Sequence, residues 1–105
     1  MASDAAAVML ELAGRGEVGL YLEALETSVV AVDLDPKLVE ARYNLALALE
    51  YNLLDDQAAT AFREYLEFDD ASGWAAEARR RLSRLEAEVH QERRREKRRE
   101  LLRAA

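Results

Sequence analysis

The 105 residues suffice for one domain and fall short of two. The absence of cysteine excludes a disulfide framework and a thiolate metal site, and no apolar run approaches the ~20 residues that span a bilayer. The net charge of −6 is unevenly divided, residues 1–71 carrying −11 and residues 72–105 carrying +5, so the two parts should attract different partners.

Alanine and leucine dominate, glycine is rare, and Pro36 is the single proline. That composition favours helix almost throughout, and no alternating β-branched run argues for a strand. Residues Met1 to Leu22 lack the positive start and apolar core of a secretory leader, so a soluble cytoplasmic protein is expected.

Five helices are predicted. The first runs from about Asp4 to Ala13, with Val8, Met9 and Leu12 as its apolar face, and Gly14–Arg15–Gly16 ends it. The second spans about Leu20 to Leu34, where Leu22, Leu25, Val29 and Val32 fall at helical spacing. Pro36 stops it and restricts Asp35 to extended geometry. The third spans about Leu38 to Asn52. It has one stripe of Leu38, Ala41, Leu45, Ala48 and Leu49 and a second of Tyr43, Leu47 and Tyr51, as a helix sandwiched between neighbours requires.

Asp55–Asp56 opens the fourth helix, where acids suit the helix dipole, and Ala58, Ala61, Phe62, Tyr65 and Leu66 form its packing face. The turn Asp69–Asp70–Ala71–Ser72–Gly73 offers Ser72 or Asp70 as an N-cap for the fifth. That helix carries Trp74, Ala78, Leu82, Leu85 and Val89 on one face, which assigns Trp74 to the packing side. Beyond Val89 the apolar pattern stops, and Glu92 to Glu100 contains no apolar residue. This segment should project into solvent, fray or await a partner.

Two stretches repeat at 34 residues, Glu23 to Pro36 against Gln57 to Asp70. Ala24 aligns with Ala58, Ala31 with Tyr65, Leu34 with Phe68 and Asp35 with Asp69. In the second unit Ala41–Arg42–Tyr43–Asn44–Leu45–Ala46 precedes Ala58 and Phe62, and the first unit closes on Asp35–Pro36. The period and these residues resemble the tetratricopeptide repeat, a helix–turn–helix unit of that length. The sequence departs from the family pattern at several places. Arg42 stands where Trp is usual, Leu53 and Leu54 where Gly marks the turn, Tyr65 where a small residue is usual, and Asp70 where proline closes the unit. In the first unit the Gly14–Gly19 loop is long, and Ser28 replaces a large residue.

The resemblance implies an all-α fold of antiparallel helix pairs, stacked as a short right-handed superhelix. Repeats 4–36 and 37–70 would be followed by a C-terminal capping helix from about residue 73, within a domain of residues 1–89. Residues 90–105 would form a charged, basic helical tail.

The resemblance also implies protein binding, as a small adaptor or scaffold, on the concave face lined by the first helix of each pair. Carried onto this sequence, that face offers Glu40, Tyr43, Asn44, Leu47, Glu50 and Tyr51, with Glu77 and Arg81 from the capping helix; Trp74 shares that side of the capping helix, but packing is the preferred reading for it. The alternative for Tyr43 and Tyr51 is packing on neighbouring helices. Some members grip a chaperone's terminal carboxylate with Lys and Asn. Asn44 matches one such position, but the lysines are missing, so that ligand is not expected. The acidic surface of residues 1–71 favours a neutral or basic partner.

Other roles have less support. The run Arg93–Arg94–Arg95–Glu96–Lys97–Arg98–Arg99 suits an anionic surface, but Glu92, Glu96 and Glu100 interrupt it and no aromatic interleaves, which argues against nucleic acid. Self-association through an exposed end of the stack, Val8–Met9–Leu12 or Val29–Val32, is a further reading, since fewer than three repeats bury little surface. His90, the single histidine, sits among charges with no partner in view. No phosphate loop, metal motif or nucleophile motif is present, so neither an enzyme nor a cofactor is expected.

Overall fold

The structure, a computed structural model, describes residues 20–104. The first sequence-predicted helix, with Val8, Met9 and Leu12, lies outside the described residues, as do the Gly14–Gly19 loop and Ala105. The described chain is all-helical: α1 (Leu20–Leu34), α2 (Val39–Tyr51), α3 (Asp55–Phe68) and α4 (Gly73–Ala104). Each helix packs on the next in sequence. No described helix is long and apolar enough to cross a membrane.

The short connections explain the pairing, because brief loops between helices make antiparallel neighbours. Asp35 and Pro36 end α1, and the Lys37 N–H donates to Asp35 Oδ1 at 3.3 Å to close the turn. Asn52 ties the end of α2 to the start of α1, its Nδ2 donating to the Tyr21 carbonyl at 2.8 Å and the Ala48 carbonyl at 2.7 Å. Between α2 and α3 the backbone forms a Schellman closure. The Leu54 N–H bonds the Leu49 carbonyl and the Leu53 N–H bonds the Glu50 carbonyl, both at 3.0 Å, with Leu53 at φ 61°. Leucine thus occupies a left-handed position that glycine usually takes.

Asp69 organises the last turn. It accepts from the Ser72 N–H at 3.3 Å, from the Ser72 hydroxyl and from the Tyr65 hydroxyl, while Ser72 Oγ caps α4 by accepting from the Ala75 N–H at 3.1 Å. Ser72, not Asp70, is therefore the cap. Asp55 and Asp56 lie inside the first turn of α3 behind an uncapped Leu54, where the helix dipole favours their charge.

The core is built largely on alanine. Ala24, Ala41, Ala46, Ala48, Ala58, Ala75 and Ala78 are all fully buried, and such small residues let backbones approach closely. Phe62, Tyr65 and Leu85 supply the large buried side chains, with Tyr43 joining them. Burying each contributes on the order of 1.5–3 kcal/mol.

On α1 the structure departs from the sequence pattern. The face turned to the core is Ala24, Ser28 and Ala31, whereas Leu22 and Val29 of the predicted apolar stripe are exposed. Close approach of α1 to α2 at Ala24 and Ala48 selects the small residues. Ser28 satisfies its buried hydroxyl by donating to the Ala24 carbonyl at 2.7 Å.

Candidate functional site

The helices α2 and α4 run side by side in the same direction. Tyr43 meets Trp74, and two turns later Glu50 meets Arg81, so both contacts join residues 31 apart. This face gathers five of the eight sequence-predicted residues, namely Tyr43, Glu50, Tyr51, Glu77 and Arg81.

Arg81 is the hub. Its Nη1 donates to Glu50 Oε1 at 3.0 Å and its Nε to Glu77 Oε1 at 3.0 Å. The Glu50 and Arg81 side chains retain only 17% and 20% of their accessible surface, so the pair is screened less than an exposed one. Arg84 Nη2 approaches Glu50 Oε2 at 3.5 Å, and Arg80 Nη2 holds Glu77 Oε2 at 2.6 Å.

These contacts set the protonation of the site. Burial opposes the Arg81 charge, but hydrogen bonding and attraction to Glu50 prevail and hold its pKa above the ordinary value. The Arg80 hydrogen bond, with the charges of Arg81 and Arg80, holds Glu77 below the usual carboxylate range. Burial raises the Tyr43 phenol above its ordinary value, although a hydrogen bond and the positive charge of Arg81 pull the other way.

Tyr43 sits beneath this network at an aromatic junction. Its ring meets Phe62 at 6.0 Å, Tyr65 at 5.2 Å and Trp74 at 4.8 Å, all edge-on. Such contacts add ~0.5–1.5 kcal/mol each beyond burial. At the other end Tyr51 stacks on Tyr21, with centroids 5.4 Å apart and planes 9° from parallel.

The remaining predicted residues have other places. Glu40 is exposed in the first turn of α2, Asn44 is buried, and Leu47 is partly buried between the two core clusters. Tyr43 and Asn44 thus belong to the helix packing, and the accessible part of the face lies along α4 and the end of α2.

Trp74 differs from the sequence assignment. Its side chain is not enclosed: it remains 59% exposed, standing in the first turn of α4 with Tyr43 against one edge. The signal was its spacing with Glu77 and Arg81, which sets all three on one side of α4. Arg84, one turn beyond Arg81, is a further residue of this face that the sequence reading does not single out. It stands 34 residues after Glu50, one repeat length.

Chemically the face offers aromatic area and fixed charges. His90 is exposed, and among the described residues no group of three His, Cys, Asp or Glu is arranged to hold a metal. A separate groove of about 390 Å³ lies further along α4. It is lined by Leu53, Leu54, Asp55, Asp56, Glu88, Val89, Glu92 and Glu96, among others. Comparison with known proteins finds no matching family model, no matching curated protein and no matching solved structure.

Proposed function

We propose that the chain is a protein-interaction module, a small adaptor or scaffold of tetratricopeptide-like helix pairs closed by a capping helix, which binds without catalysing. In this reading α2 and α4 are the first helices of successive units, and their shared side is the docking face. The occupant is a neutral or basic helical or extended segment of a partner protein.

The observation that carries the proposal is Trp74, a large aromatic left 59% exposed beside the Glu50–Arg81–Glu77 network. Trp, Tyr and Arg are the residues on which binding energy concentrates, and here all three are held by their neighbours before any partner arrives. The parallel course of α2 and α4 supports the repeat reading. So does Arg42, whose guanidinium lies 4.5 Å over the Phe68 ring and fills the place where the family uses Trp. The acidic character of residues 1–71, which include Glu40 and Glu50 on the α2 side of the face, supports a neutral or basic partner, while Arg80, Arg81 and Arg84 on the α4 side are paired with Glu77 and Glu50.

The test is peptide selection from a random display library on the whole chain. Selected peptides should be rich in Lys and Arg and should lose at least about tenfold in affinity, ~1.4 kcal/mol, on Trp74→Ala. Peptides that bind Trp74→Ala and Arg81→Ala as tightly as the natural chain would place the docking face elsewhere.

A further inference from the structure

The final third of α4 leaves the helical body. From Glu92 onward every described residue is exposed, yet the helix continues unbroken to Ala104. One face of this extension carries Glu92, Arg95, Glu96, Arg99, Glu100 and Arg103, at the spacing i, i+3, i+4, i+7, i+8, i+11 by which a helix presents a seam to a neighbour. The structure sets these side chains together. Arg99 Nη2 reaches Glu92 Oε1 at 3.1 Å, and Arg95 Nη1 reaches Glu92 Oε2 at 3.6 Å.

The order of charge along the seam is strictly alternating, and reversing the helix exchanges every Glu for an Arg. Glu92 then faces Arg103, Arg95 faces Glu100 and Glu96 faces Arg99, all about one centre midway between Lys97 and Arg98. From this arrangement we infer that the extension is a self-recognition element, pairing antiparallel about a two-fold axis with the same segment of a second copy.

Within one helix the seam is mixed: Glu92–Arg95, Glu96–Arg99 and Glu100–Arg103 are opposite at i, i+3, whereas Glu92–Glu96, Arg95–Arg99, Glu96–Glu100 and Arg99–Arg103 are like-charged at i, i+4. Between two antiparallel copies every facing pair is opposite. A two-fold axis doubles the three pairs to six, because an isologous interface uses each contact twice.

The seam also begins where the body ends. The pairing carries the last turn of the second copy, with Leu102 at 66% exposure, toward the groove of Leu53, Leu54 and Val89. Within one chain this meeting is impossible, since Val89 and Leu102 are separated by roughly 20 Å of continuous helix. The strongly basic side formed by Arg94, Lys97 and Arg98 faces away from the seam and stays in solvent. The element is independent of the α2–α4 docking face, and either can fail without the other.

Sedimentation equilibrium of the whole chain at low ionic strength tests the inference. The natural chain should form a dimer that weakens as salt is added. Two reversals should each weaken self-association at least about tenfold: Glu92→Arg with Glu96→Arg, and Arg99→Glu with Arg103→Glu. Mixed together, the two variants should form a heterodimer, because every pair is then complementary again. Circular dichroism checks that each variant keeps its helix, and the chain carrying all four substitutions should again self-associate even if one parent unfolds. A natural chain that stays monomeric overturns the inference, as does a dimer indifferent to both reversals or a mixture that stays monomeric. A monomer whose basic side binds anionic lipid vesicles overturns it equally, giving the extension a different occupant.

Discussion

If Arg81 clamps α4 to α2, the Glu50–Arg81 pair should show a measurable coupling. A hydrogen bond involving a charged group contributes ~1.5–3 kcal/mol net. Here both side chains are about four-fifths buried and the contact is 3.0 Å, which favours the upper part of that range. Arg84, however, stands 3.5 Å from the other Glu50 oxygen and takes over part of the role when Arg81 is lost. The expected coupling is therefore ~1–2 kcal/mol in a cycle of Glu50→Gln and Arg81→Met. Urea denaturation followed by circular dichroism reads it directly, and each kcal/mol should lower the melting temperature by about 4–8 °C. In an Arg84→Ala background the coupling should grow. Additivity within ~0.3 kcal/mol in both backgrounds would refute the clamp and leave α4 positioned by apolar contacts such as Leu82 and Leu85 alone.

Phe62→Ala empties a fully buried site against Tyr43 and should cost ~3–5 kcal/mol by urea denaturation, a large share of the stability of a domain this small. Leu53→Gly should stabilise by up to ~1 kcal/mol, because it relieves a left-handed leucine that is 84% exposed and loses little packing. Alkaline pH should unfold the chain. Burial, aided by the hydrogen bond to Asp69, raises the Tyr65 phenol to about 12 from its unfolded value of 10.0, and Tyr43 is raised as well. The neutral phenols' stabilisation is complete below pH 10 and is lost as the pH rises through the folded values. Tyrosinate absorbance should therefore show Tyr43 and Tyr65 titrating late and together with unfolding.

Much of the architecture was legible because local chemistry fixed it. Pro36, the acids opening α3 and Ser72 each mark a helix boundary through a backbone constraint or a cap, so the end of α1 and the starts of α3 and α4 follow from the residues, whereas the unbroken run of α4 from Gly73 to Ala104 past the end of the apolar pattern does not. The two-sided pattern of α2 likewise foretold a helix with neighbours on both sides, α1 and α3. What escaped depended on how closely helices approach. On α1 the hydrophobic spacing pointed to Leu22 and Val29, but backbone proximity placed Ala24, Ser28 and Ala31 inside. Spacing along α4 puts Trp74 on the packing face, yet in the first turn of that helix it stays 59% exposed, with the Tyr43 ring 4.8 Å away. Of the site, the pairing of Glu50 with Arg81 follows from a parallel course of α2 and α4. That course is visible in sequence only as a 34-residue period.

The most direct test of the docking face is amide chemical-shift mapping of the whole chain with a selected basic peptide. The account predicts shifts concentrated on residues 47–51 of α2 and residues 74–84 of α4, with the Trp74 indole among the largest and residues 92–104 unchanged. Shifts confined to 92–104, or to the outer side of α1, would contradict it.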